Sequence, residues 1–208
     1  MNDHWTTRYR QRDYVFGTEA DSWLQRCRHR LPPQGRALAV ADGEGRNGVW
    51  LAEQGLCVVS LDQSPVAQQK AVELARRHGV ELELVHADVG DWLWPEATFD
   101  VIACLFLQLP TPARTILLRN MVKALSPGGL IIFRGFHRRH AAEGTAGPRQ
   151  PDVLYDDNEL KHAFAELEIE HLTQATTRVR ASDQMNGQGI TLECLARKSS
   201  STQEISAF

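Results

Sequence analysis

The feature that most constrains the fold of this chain is a unit of strand, glycine turn and helix near its start. Residues 36–41 form an apolar run typical of a buried strand, residues 43–48 read Gly-Glu-Gly-Arg-Asn-Gly, and residues 49–54 follow as a helix that Gly55 ends. Glycines allow a tight turn, and the first turn of the next helix offers unpaired N–H groups. The unit therefore predicts the start of an α/β sheet with a place for a ligand at the turn.

The same unit recurs along the chain. Apolar runs that predict buried strands alternate with amphipathic segments that predict helices bounded by Pro or Gly. The predicted strands cover residues 36–41, 56–61, 82–86, 100–105 and 130–133, and the helices between them cover residues 49–54, 66–78 and 111–125. Because strands covered on both faces lose the alternation of polar and apolar residues, this pattern indicates a parallel sheet between two layers of helices. The sequence therefore predicts a Rossmann-like, doubly wound α/β fold.

The flanking segments complete this plan. We expect a first helix over residues 18–30 that Thr18 caps, a polar loop over residues 134–151, and a helix over residues 156–167. Two terminal strands, residues 169–180 and 190–197, are joined by a turn-rich segment, residues 182–189. They predict a C-terminal antiparallel hairpin that brings the mostly parallel sheet to seven strands. We expect three parts: an N-terminal lid and helix (1–35), a ligand-binding domain (36–198) and a flexible tail (199–208).

Composition narrows the function classes. A chain of 208 residues with 42% hydrophobic and 24% charged residues fits one folded domain. The net charge of −3 lacks the basic excess that would favour nucleic acid or anionic lipid. Its four cysteines form no C-x-x-C pair, and no apolar run reaches the roughly 18 residues that span a bilayer. We therefore expect a cytoplasmic protein with no nucleic-acid or membrane partner, present as a monomer or a homodimer.

The glycine turn and an acid on the next strand point to a nucleoside-containing ligand. Asp62 lies at the end of the second predicted strand, 17 residues beyond Gly45. A carboxylate at that place accepts hydrogen bonds from both hydroxyls of a ribose. Both features suit NAD and the adenosyl group of S-adenosylmethionine equally well, so they leave the two ligands open.

Further motifs carry a resemblance to a known family. They are His-Ala-Asp-Val at 86–89, Phe-Asp-Val-Ile-Ala-Cys at 99–104 and Leu-Ser-Pro-Gly-Gly-Leu-Ile-Ile-Phe at 125–133. With the glycine turn, they resemble the class I S-adenosylmethionine-dependent methyltransferases over residues 37–133. The segments at 13–19, 42–48 and 61–64 are similar to the small bacterial methyltransferases grouped with the tellurite-resistance methyltransferases.

The resemblance implies S-adenosylmethionine as cofactor and a set of residues that bind it. It implies that Ala41, Asp42, Gly43 and Gly45 face the methionine portion, Asp62 the ribose, and Asp88 and Val89 the adenine; Gln63 and Cys104 are included among the cofactor-binding residues. The chain departs from the family pattern at Ala39, where an acid is usual, and at Ala41, where a glycine is usual. Contacts to the cofactor amino group are then expected from Asp42, Glu44 or backbone carbonyls.

The methyl acceptor should lie over the carboxyl ends of the strands, next to the first helix and the loops after the fourth and fifth strands. Tyr14 and Phe16 either form an aromatic lid or act as a hydrophobic staple that holds the first helix. We expect Gln108 and Phe136 to face the acceptor. His137 is the candidate general base, so the predicted catalytic residues are His137, Gln108 and Tyr14. Arg134, Arg138 and Arg139 either form a cationic patch for an anionic acceptor or belong to a solvated loop. No metal site is expected at His137 and His140, because no third ligand is placed nearby by the sequence.

The predicted function is transfer of a methyl group to a small-molecule acceptor such as a thiol, a metalloid oxyanion or another small metabolite. Two alternatives remain open at this point. The Gly-x-Gly-x-x-Gly pattern with Asp62 also suits an NAD-dependent oxidoreductase, although the chain leaves little room for a separate substrate domain. The chain could also be a non-catalytic module that binds S-adenosylmethionine.

Overall fold

A seven-stranded mixed sheet forms the centre of the molecule. The computed structural model describes residues 3–180 and 186–200. The strands are β1 (Gly35–Val40), β2 (Leu56–Asp62), β3 (Leu82–His86), β4 (Phe99–Leu105), β5 (Leu125–Phe136), β6 (Glu168–Arg180) and β7 (Asn186–Arg197). Their order across the sheet is β3-β2-β1-β4-β5-β7-β6. Strands β1 to β5 run parallel, and β7 is antiparallel to both of its neighbours, β5 and β6.

Helices cover the two faces of the sheet and one end of it. They are α1 (Asp3–Tyr9), α2 (Ser22–Arg26), α3 (Arg46–Glu53), α4 (Pro65–His78), α5 (Ala113–Ala124), α6 (His140–Glu143) and α7 (Asp157–Ala163), with short 3-10 turns at Cys27–Arg30 and Pro151–Val153. Within the described residues, no helix is long and apolar enough to cross a membrane.

The central strands are apolar on both sides because each side packs against a helical layer. In β1, Leu38 and Val40 belong to one buried cluster, whereas Ala37 and Ala39 belong to the cluster on the opposite face. All four side chains are buried. This double burial is the physical reason for the continuous apolar runs, and it confirms the predicted doubly wound α/β fold with its C-terminal antiparallel hairpin.

The chain reverses its direction across the sheet between β1 and β4. From β1 it proceeds outward through β2 to β3, then returns to place β4 on the other side of β1. Loops that leave the carboxyl ends of β1 and β4 therefore diverge and leave a crevice between them. That crevice is where ligands bind in open α/β sheets, and here it carries the candidate site.

Several predicted boundaries were wrong. The helix expected over residues 18–30 begins only at Ser22 and is five residues long, because Asp21 rather than Thr18 caps it by accepting a hydrogen bond from the Trp23 N–H at 2.9 Å. Helix α1 was not predicted, and α7 ends at Ala163, short of the expected residue 167. The prediction for 199–208 falls mostly outside the described residues, and so does the first half of the turn predicted over 182–189. Residues 186–189 of that predicted turn belong to β7.

Candidate functional site

A cavity of about 570 Å³ opens above the carboxyl ends of the parallel strands. Its floor consists of the residues that follow β1, β2, β3 and β4, together with Arg134 and Phe136 near the end of β5. Residues 16–22 and two side chains of α1 cover it, and Thr177, Arg178 and Val179 of β6 close one side. The fold therefore brings both the N-terminal segment and the C-terminal hairpin to the wall of one cavity.

The turn after β1 has an unusual backbone. Ala41, Gly43 and Gly45 adopt positive φ angles of 50°, 59° and 87°. A Cβ at Gly45 would lie 2.6 Å from the Cβ of Ala71 on α4, and a Cβ at Gly43 would lie 2.6 Å from the Tyr9 hydroxyl. Both glycines therefore permit close packing by α4 and α1, and neither lines the cavity, whereas Ala41 does.

Asp42 stabilises this turn from within. Its Oδ1 accepts a hydrogen bond from the Gly48 N–H at 3.0 Å, and its Oδ2 accepts one from the Ser60 hydroxyl at 2.8 Å. The carboxyl group thus accepts a hydrogen bond from an N–H in the first turn of α3. Strand β1 itself has Ala39 at the position where an acid is usual. Burial outweighs these hydrogen bonds and raises the pKa of Asp42 to about 6.

Asp62 connects the turn after β1 to the turn after β2. Its Oδ2 accepts a hydrogen bond from the Gly43 N–H and its Oδ1 accepts one from the Ser64 N–H, both at 2.8 Å. The side chain is nearly buried and lines the cavity next to Gln63, and burial raises the pKa of its carboxyl group. Each carboxylate oxygen has a second lone pair, so Asp62 keeps acceptor capacity for hydroxyl groups in the cavity.

The loop after β3 forms the next part of the wall. Asp88 and Val89 line the cavity, with Asp88 exposed and Val89 buried. The Asp88 Oδ1 accepts a hydrogen bond from the Gly90 N–H at 2.8 Å, and the Val89 carbonyl accepts one from the Trp94 indole at 2.9 Å. These bonds fix the loop at the position where the sequence predicts an adenine contact.

The polar residues of the glycine turn hold the N-terminal segment. Glu44 accepts a hydrogen bond from the Val15 N–H at 2.7 Å and forms an ion pair with Lys70 at 2.7 Å, and the Lys70 ammonium also donates to the carbonyls of Gln11 and Asp13. The Asn47 Oδ1 accepts a hydrogen bond from the Asp21 N–H at 2.9 Å. Glu44 is therefore engaged away from the cavity, which corrects the expectation that it contacts the cofactor amino group.

Three aromatic rings of the N-terminal segment line the cavity. Trp5, Tyr9 and Phe16 form a cluster with ring centroids 6.0 to 6.5 Å apart. Phe16 was predicted, whereas Trp5 and Tyr9 were missed because the segment before residue 13 was given no structure. Their spacing of four residues, which places two aromatic rings on one face of a helix, was the available signal.

Tyr14 requires a correction, because it faces away from the cavity. Its hydroxyl donates a hydrogen bond to the Lys70 carbonyl at 3.0 Å and accepts one from Arg77 at 3.1 Å. Its ring packs beside Val49 and Leu74, between α3 and α4. Tyr14 thus anchors the N-terminal segment on the outer side of α4, and its position does not support contact with an acceptor.

The other predicted catalytic residue, His137, also lies outside the cavity. It is buried, its Nε2 pairs with the Asp157 carboxylate at 2.9 Å, and its Nδ1 accepts a hydrogen bond from the Arg139 N–H at 3.2 Å. Both ring nitrogens are therefore occupied by the protein, which argues against a general base. Asp156 and Asp157 lie close enough to share an ion with His137, but Asp156 already pairs with Arg138.

The expected cationic patch and the Cys104 contact are also corrected. Arg138 pairs with Asp156 at 2.7 Å and Arg139 with Glu143 at 2.7 Å, and neither lines the cavity. Cys104 is completely buried in β4, where burial raises the pKa of its thiol to about 12. It packs in the core beneath the cavity and does not line it.

Arg134 does line the cavity, but its charge is already balanced. Its guanidinium pairs with Asp21 at 3.0 Å and with Glu193 at 3.1 Å, and all three side chains are at most 6% exposed. The guanidinium also lies 5.4 Å from the centre of the Phe106 ring. This buried network joins β5, β7 and the start of α2 beneath the acceptor end of the cavity.

Phe106 is a site residue that the sequence did not reveal. It follows β4 with a positive φ of 60°, a conformation that bulky residues rarely adopt, and its N–H donates to the Arg134 carbonyl at 2.6 Å. Its ring lies 5.0 Å from that of Phe136, and both line the cavity. Gln108 also lines it, as predicted, so the loop after β4 offers one amide beside two aromatic rings.

Comparisons with known proteins agree with this architecture. A family profile described as a methyltransferase domain matches residues 37–129. A protein solved in work on the conversion of a disulfide bond into a thioacetal group during echinomycin biosynthesis is similar over 99% of this chain and 94% of its own, with 19% identity and a TM-score of 0.77. TehB from Haemophilus influenzae is similar over 95% of this chain and 66% of its own, with 18% identity and a TM-score of 0.75. An S-adenosylmethionine-dependent methyltransferase from Mesorhizobium loti is similar over 84% of this chain and 96% of its own, with 21% identity and a TM-score of 0.61.

The lining residues fit S-adenosylmethionine. Among the described residues that line the cavity, five carboxylates (Glu19, Asp21, Asp42, Asp62 and Asp88) outnumber three guanidinium groups (Arg46, Arg134 and Arg178). An excess of negative charge favours a cationic ligand, and Asp62 has acceptor capacity for a ribose. The matched domain covers the turn after β1, Asp62 and Asp88. The chain contains a methyltransferase domain over residues 37–129, and this domain together with the lining of the cavity implies S-adenosylmethionine as cofactor.

Proposed function

We propose that this enzyme methylates a small soft nucleophile, with a thiol as the acceptor class that the cavity fits best. The observation that carries the proposal is the composition of the acceptor end of the cavity. Aromatic and aliphatic side chains from the loop after β4, from β5 and from the N-terminal segment surround this end, and the described lining residues include no histidine, lysine or cysteine.

The proposal assigns the cofactor end to residues from the first three strands. Asp62 would accept hydrogen bonds from the ribose hydroxyls, with Gln63 beside it. Asp88 and Val89 would bind the adenine, and Ala41 and Asp42 would border the methionine portion. Gly43 and Gly45 shape the turn without lining the cavity. When bound, the cofactor supplies a methyl group on a sulfonium, which is a reactive electrophile.

The acceptor end aligns the nucleophile and excludes water. Phe106, Phe136 and Phe16 supply apolar walls there, and the Gln108 amide supplies a polar contact. Removal of water around a sulfur nucleophile and correct alignment both accelerate an in-line displacement. These residues would therefore act by orientation and desolvation.

Several lining groups are poorly suited to remove a proton at neutral pH. Burial raises the pKa of Tyr9 far above its ordinary value, so its hydroxyl stays protonated. Asp21 is paired with Arg134, and both oxygens of Asp42 accept hydrogen bonds from the turn. An acceptor that ionises in water by itself, such as a thiol, meets this condition better than an amine or an alcohol.

The similarity to one structure from sulfur chemistry supports a sulfur acceptor. That neighbour was solved in work on a disulfide-to-thioacetal conversion. A metalloid oxyanion is the second candidate, favoured by the exposed, unpaired Arg178 at the wall of the cavity. The balanced charge of Arg134 favours the thiol over the oxyanion.

A set of acceptors on one carbon skeleton tests the proposal. Purified enzyme with S-adenosylmethionine is given thiophenol, phenol, aniline or benzoate, and tellurite in a parallel reaction, and formation of S-adenosylhomocysteine is measured. We expect turnover of thiophenol and little of its oxygen and nitrogen analogues. Turnover of phenol or aniline without thiophenol, or of tellurite alone, would contradict the thiol assignment.

The pH dependence tests the absence of a protein base. Thiophenols with electron-withdrawing and electron-donating substituents differ in the pKa of the thiol. If the thiol ionises without help from the protein, the midpoint of the pH–rate profile should shift with the pKa of each acceptor. A midpoint that stays fixed across the series would indicate a base on the enzyme.

A further inference from the structure

His140 is a buried histidine that supports one wall of the cavity from behind. It is the first residue of α6, and its side chain is completely buried. Its ring lies 4.5 Å from the ring of Phe136, with 38° between the two planes. Phe136 in turn lies 5.0 Å from Phe106, and these two phenylalanine rings line the cavity and form its acceptor wall. His140 does not line the cavity itself, so it can affect a bound acceptor only through Phe136.

The loop after α6 encloses the two stacked rings. A Cβ at Gly144 would overlap the His140 ring, and a Cβ at Gly147 would lie 2.7 Å from the Phe136 ring. The Arg149 guanidinium fixes this loop by donating a hydrogen bond to the Gly144 carbonyl at 2.7 Å. Because protein interiors are close-packed, the Phe136 ring keeps its position only while His140 keeps its own.

A hydrogen bond to β7 fixes the protonation state of His140. Its Nδ1 accepts a hydrogen bond from the Ile190 N–H at 3.2 Å, and the Ile190 carbonyl accepts one from the His137 N–H at 2.9 Å. The neutral ring therefore carries its proton on Nε2. Among the described residues, none accepts a hydrogen bond from this buried nitrogen. The ring thus joins the loop to β7 only in its neutral form.

The surroundings of His140 disfavour a positive charge. A second proton, on Nδ1, would face the N–H donor of Ile190. Burial and the nearby Arg149 guanidinium both lower the pKa of His140. The carboxylates on the adjoining elements are already paired with other side chains: Glu143 with Arg139, Asp156 with Arg138, and Asp157 with His137. A protonated His140 therefore has to leave its site between Phe136 and Ile190.

We propose that His140 is a positioning residue that makes the acceptor wall sensitive to pH: the neutral ring holds Phe136 in this wall, and protonation releases it. The inference rests on the proposed function for the assignment of this wall to the acceptor. A released histidine takes up a proton near its ordinary pKa of about 6.5, whereas the buried ring does so only at a lower pH. The intact wall is therefore fully favoured above about pH 6.5 and becomes less stable as the pH falls below that value. Acceptor binding should weaken in acid.

Calorimetry with thioanisole tests the inference without any turnover. Thioanisole is the methylated form of thiophenol and has no group that titrates between pH 5.5 and pH 7.5, so a change in its affinity comes from the protein. At saturating S-adenosylhomocysteine, we expect the wild type to bind thioanisole about three- to tenfold more weakly at pH 5.5 than at pH 7.5. His140→Phe keeps a ring beside Phe136 but takes up no proton, and its affinity should change less than about twofold.

Two further variants serve as controls. His162→Gln removes an exposed histidine of α7 and should keep the pH dependence of the wild type. His140→Asn offers a carbonyl oxygen to the Ile190 N–H but does not titrate, so its affinity should also be independent of pH, and it replaces His140→Phe if that variant does not fold. Equal pH dependence in the wild type and in the His140 variants, or none in the wild type, would overturn the inference.

Hydrogen exchange at the Ile190 amide tests the same switch without an acceptor. After correction for the intrinsic effect of pH on the exchange rate, protection measured by NMR should fall about three- to tenfold from pH 7.5 to pH 5.5 in the wild type. In His140→Asn it should stay constant. Constant protection in the wild type would overturn the inference. If protection falls as expected but thioanisole does not bind at either pH, the assignment of this wall to a thiol acceptor is wrong, and the pH-dependent release of the wall stands.

Discussion

The carboxyl group of Asp42 makes the stability of the protein depend on pH in an unusual direction. Its pKa is about 6 in the folded protein, above the value near 3.8 of a free aspartate. Between these two values the folded state binds a proton that the unfolded state does not. The contribution of Asp42 to the free energy of unfolding therefore falls as the pH rises from about 4 to 6, by about 3 kcal/mol in total.

Asp42→Asn tests this prediction. The amide accepts a hydrogen bond from the Gly48 N–H through its oxygen and donates one to the Ser60 hydroxyl through its nitrogen, so the turn is preserved without the charge. We expect the variant to gain stability relative to the wild type between pH 4 and pH 7. Urea unfolding of both proteins without cofactor gives the difference at each pH, and a constant difference would mean that Asp42 titrates normally.

Asp62 carries the strongest single-residue prediction for cofactor binding. Asp62→Asn keeps the size of the side chain but exchanges one acceptor oxygen for an NH₂ donor. This donor faces the N–H donor of Gly43 or Ser64 and removes an acceptor for the ribose. We expect affinity for S-adenosylhomocysteine to fall at least about tenfold. Asp152→Asn, an exposed change outside the cavity, is the matched control for calorimetry, and equal affinities of both variants would exclude a ribose contact.

Single residues show where sequence reasoning succeeds and fails. Asp62, Asp88 and Val89 were placed at the cavity wall because they end strands in a repeated unit, and the fold fixes such positions. Tyr14 and His137 were misplaced because the direction of a side chain in a loop depends on its tertiary partners. Nothing local in the sequence indicates that Lys70 would bind the carbonyl beside Tyr14 or that Asp157 would pair with His137.

Among the elements, the N-terminal segment is held to the glycine turn mainly by the Glu44–Lys70 pair. The double change Glu44→Gln with Lys70→Met removes this pair without leaving a buried charge unpaired. It should loosen residues 11–15, so trypsin should cleave after Arg10 and Arg12 several-fold faster, in proportion to the opening of the segment. Mass spectrometry of the fragments measures the rate.

Lys161→Met provides the comparison for this experiment, since Lys161 is exposed on α7 and its loss should leave the cleavage rate unchanged. Bound S-adenosylhomocysteine should slow cleavage in the wild type. Cleavage at equal rates in the double variant and the wild type would show that the ion pair does not control the segment.

At the same scale, element boundaries were predicted best where burial alone decides them. Strands β2 and β4 lie within one residue of the expected ranges, because their apolar runs end where burial ends. Strand β5 continues beyond the predicted residue 133 through Arg134 to Phe136. In a sequence, a charged residue such as Arg134 predicts the end of a buried strand. Here Asp21 and Glu193 neutralise Arg134, and both partners lie more than 50 residues away in the chain.

For the molecule as a whole, the charge of the cavity distinguishes between NAD and S-adenosylmethionine, the two cofactors that the sequence left open. A dinucleotide places its pyrophosphate at the N-terminus of the helix after the glycine turn. In this protein, the Asp42 carboxylate lies at that N-terminus, within a cavity of net negative charge. Repulsion between the pyrophosphate and these carboxylates should prevent NAD from binding, whereas the same carboxylates attract the positive charge of a sulfonium.

Thermal unfolding with each ligand tests this prediction on the intact chain. Saturating S-adenosylmethionine or S-adenosylhomocysteine should raise Tm by several degrees, because a ligand that binds only the folded state stabilises it, and NAD should leave Tm unchanged. Stabilisation by NAD and not by the two sulfur compounds would contradict the charge argument. The overall sheet was predictable from strand and helix order, whereas this charge balance required the positions of side chains from several loops and strands that are far apart in the sequence.

The attachment of the N-terminal segment to the glycine turn has a thermodynamic consequence. Glu44, Asn47 and Arg46 bind that segment, and they belong to the same turn that borders the cofactor. A first ligand that orders the turn also orders the N-terminal segment. Binding of a second ligand then costs less conformational entropy. We therefore expect cofactor and acceptor to bind with positive cooperativity, and linkage requires each to raise the affinity of the other by the same factor.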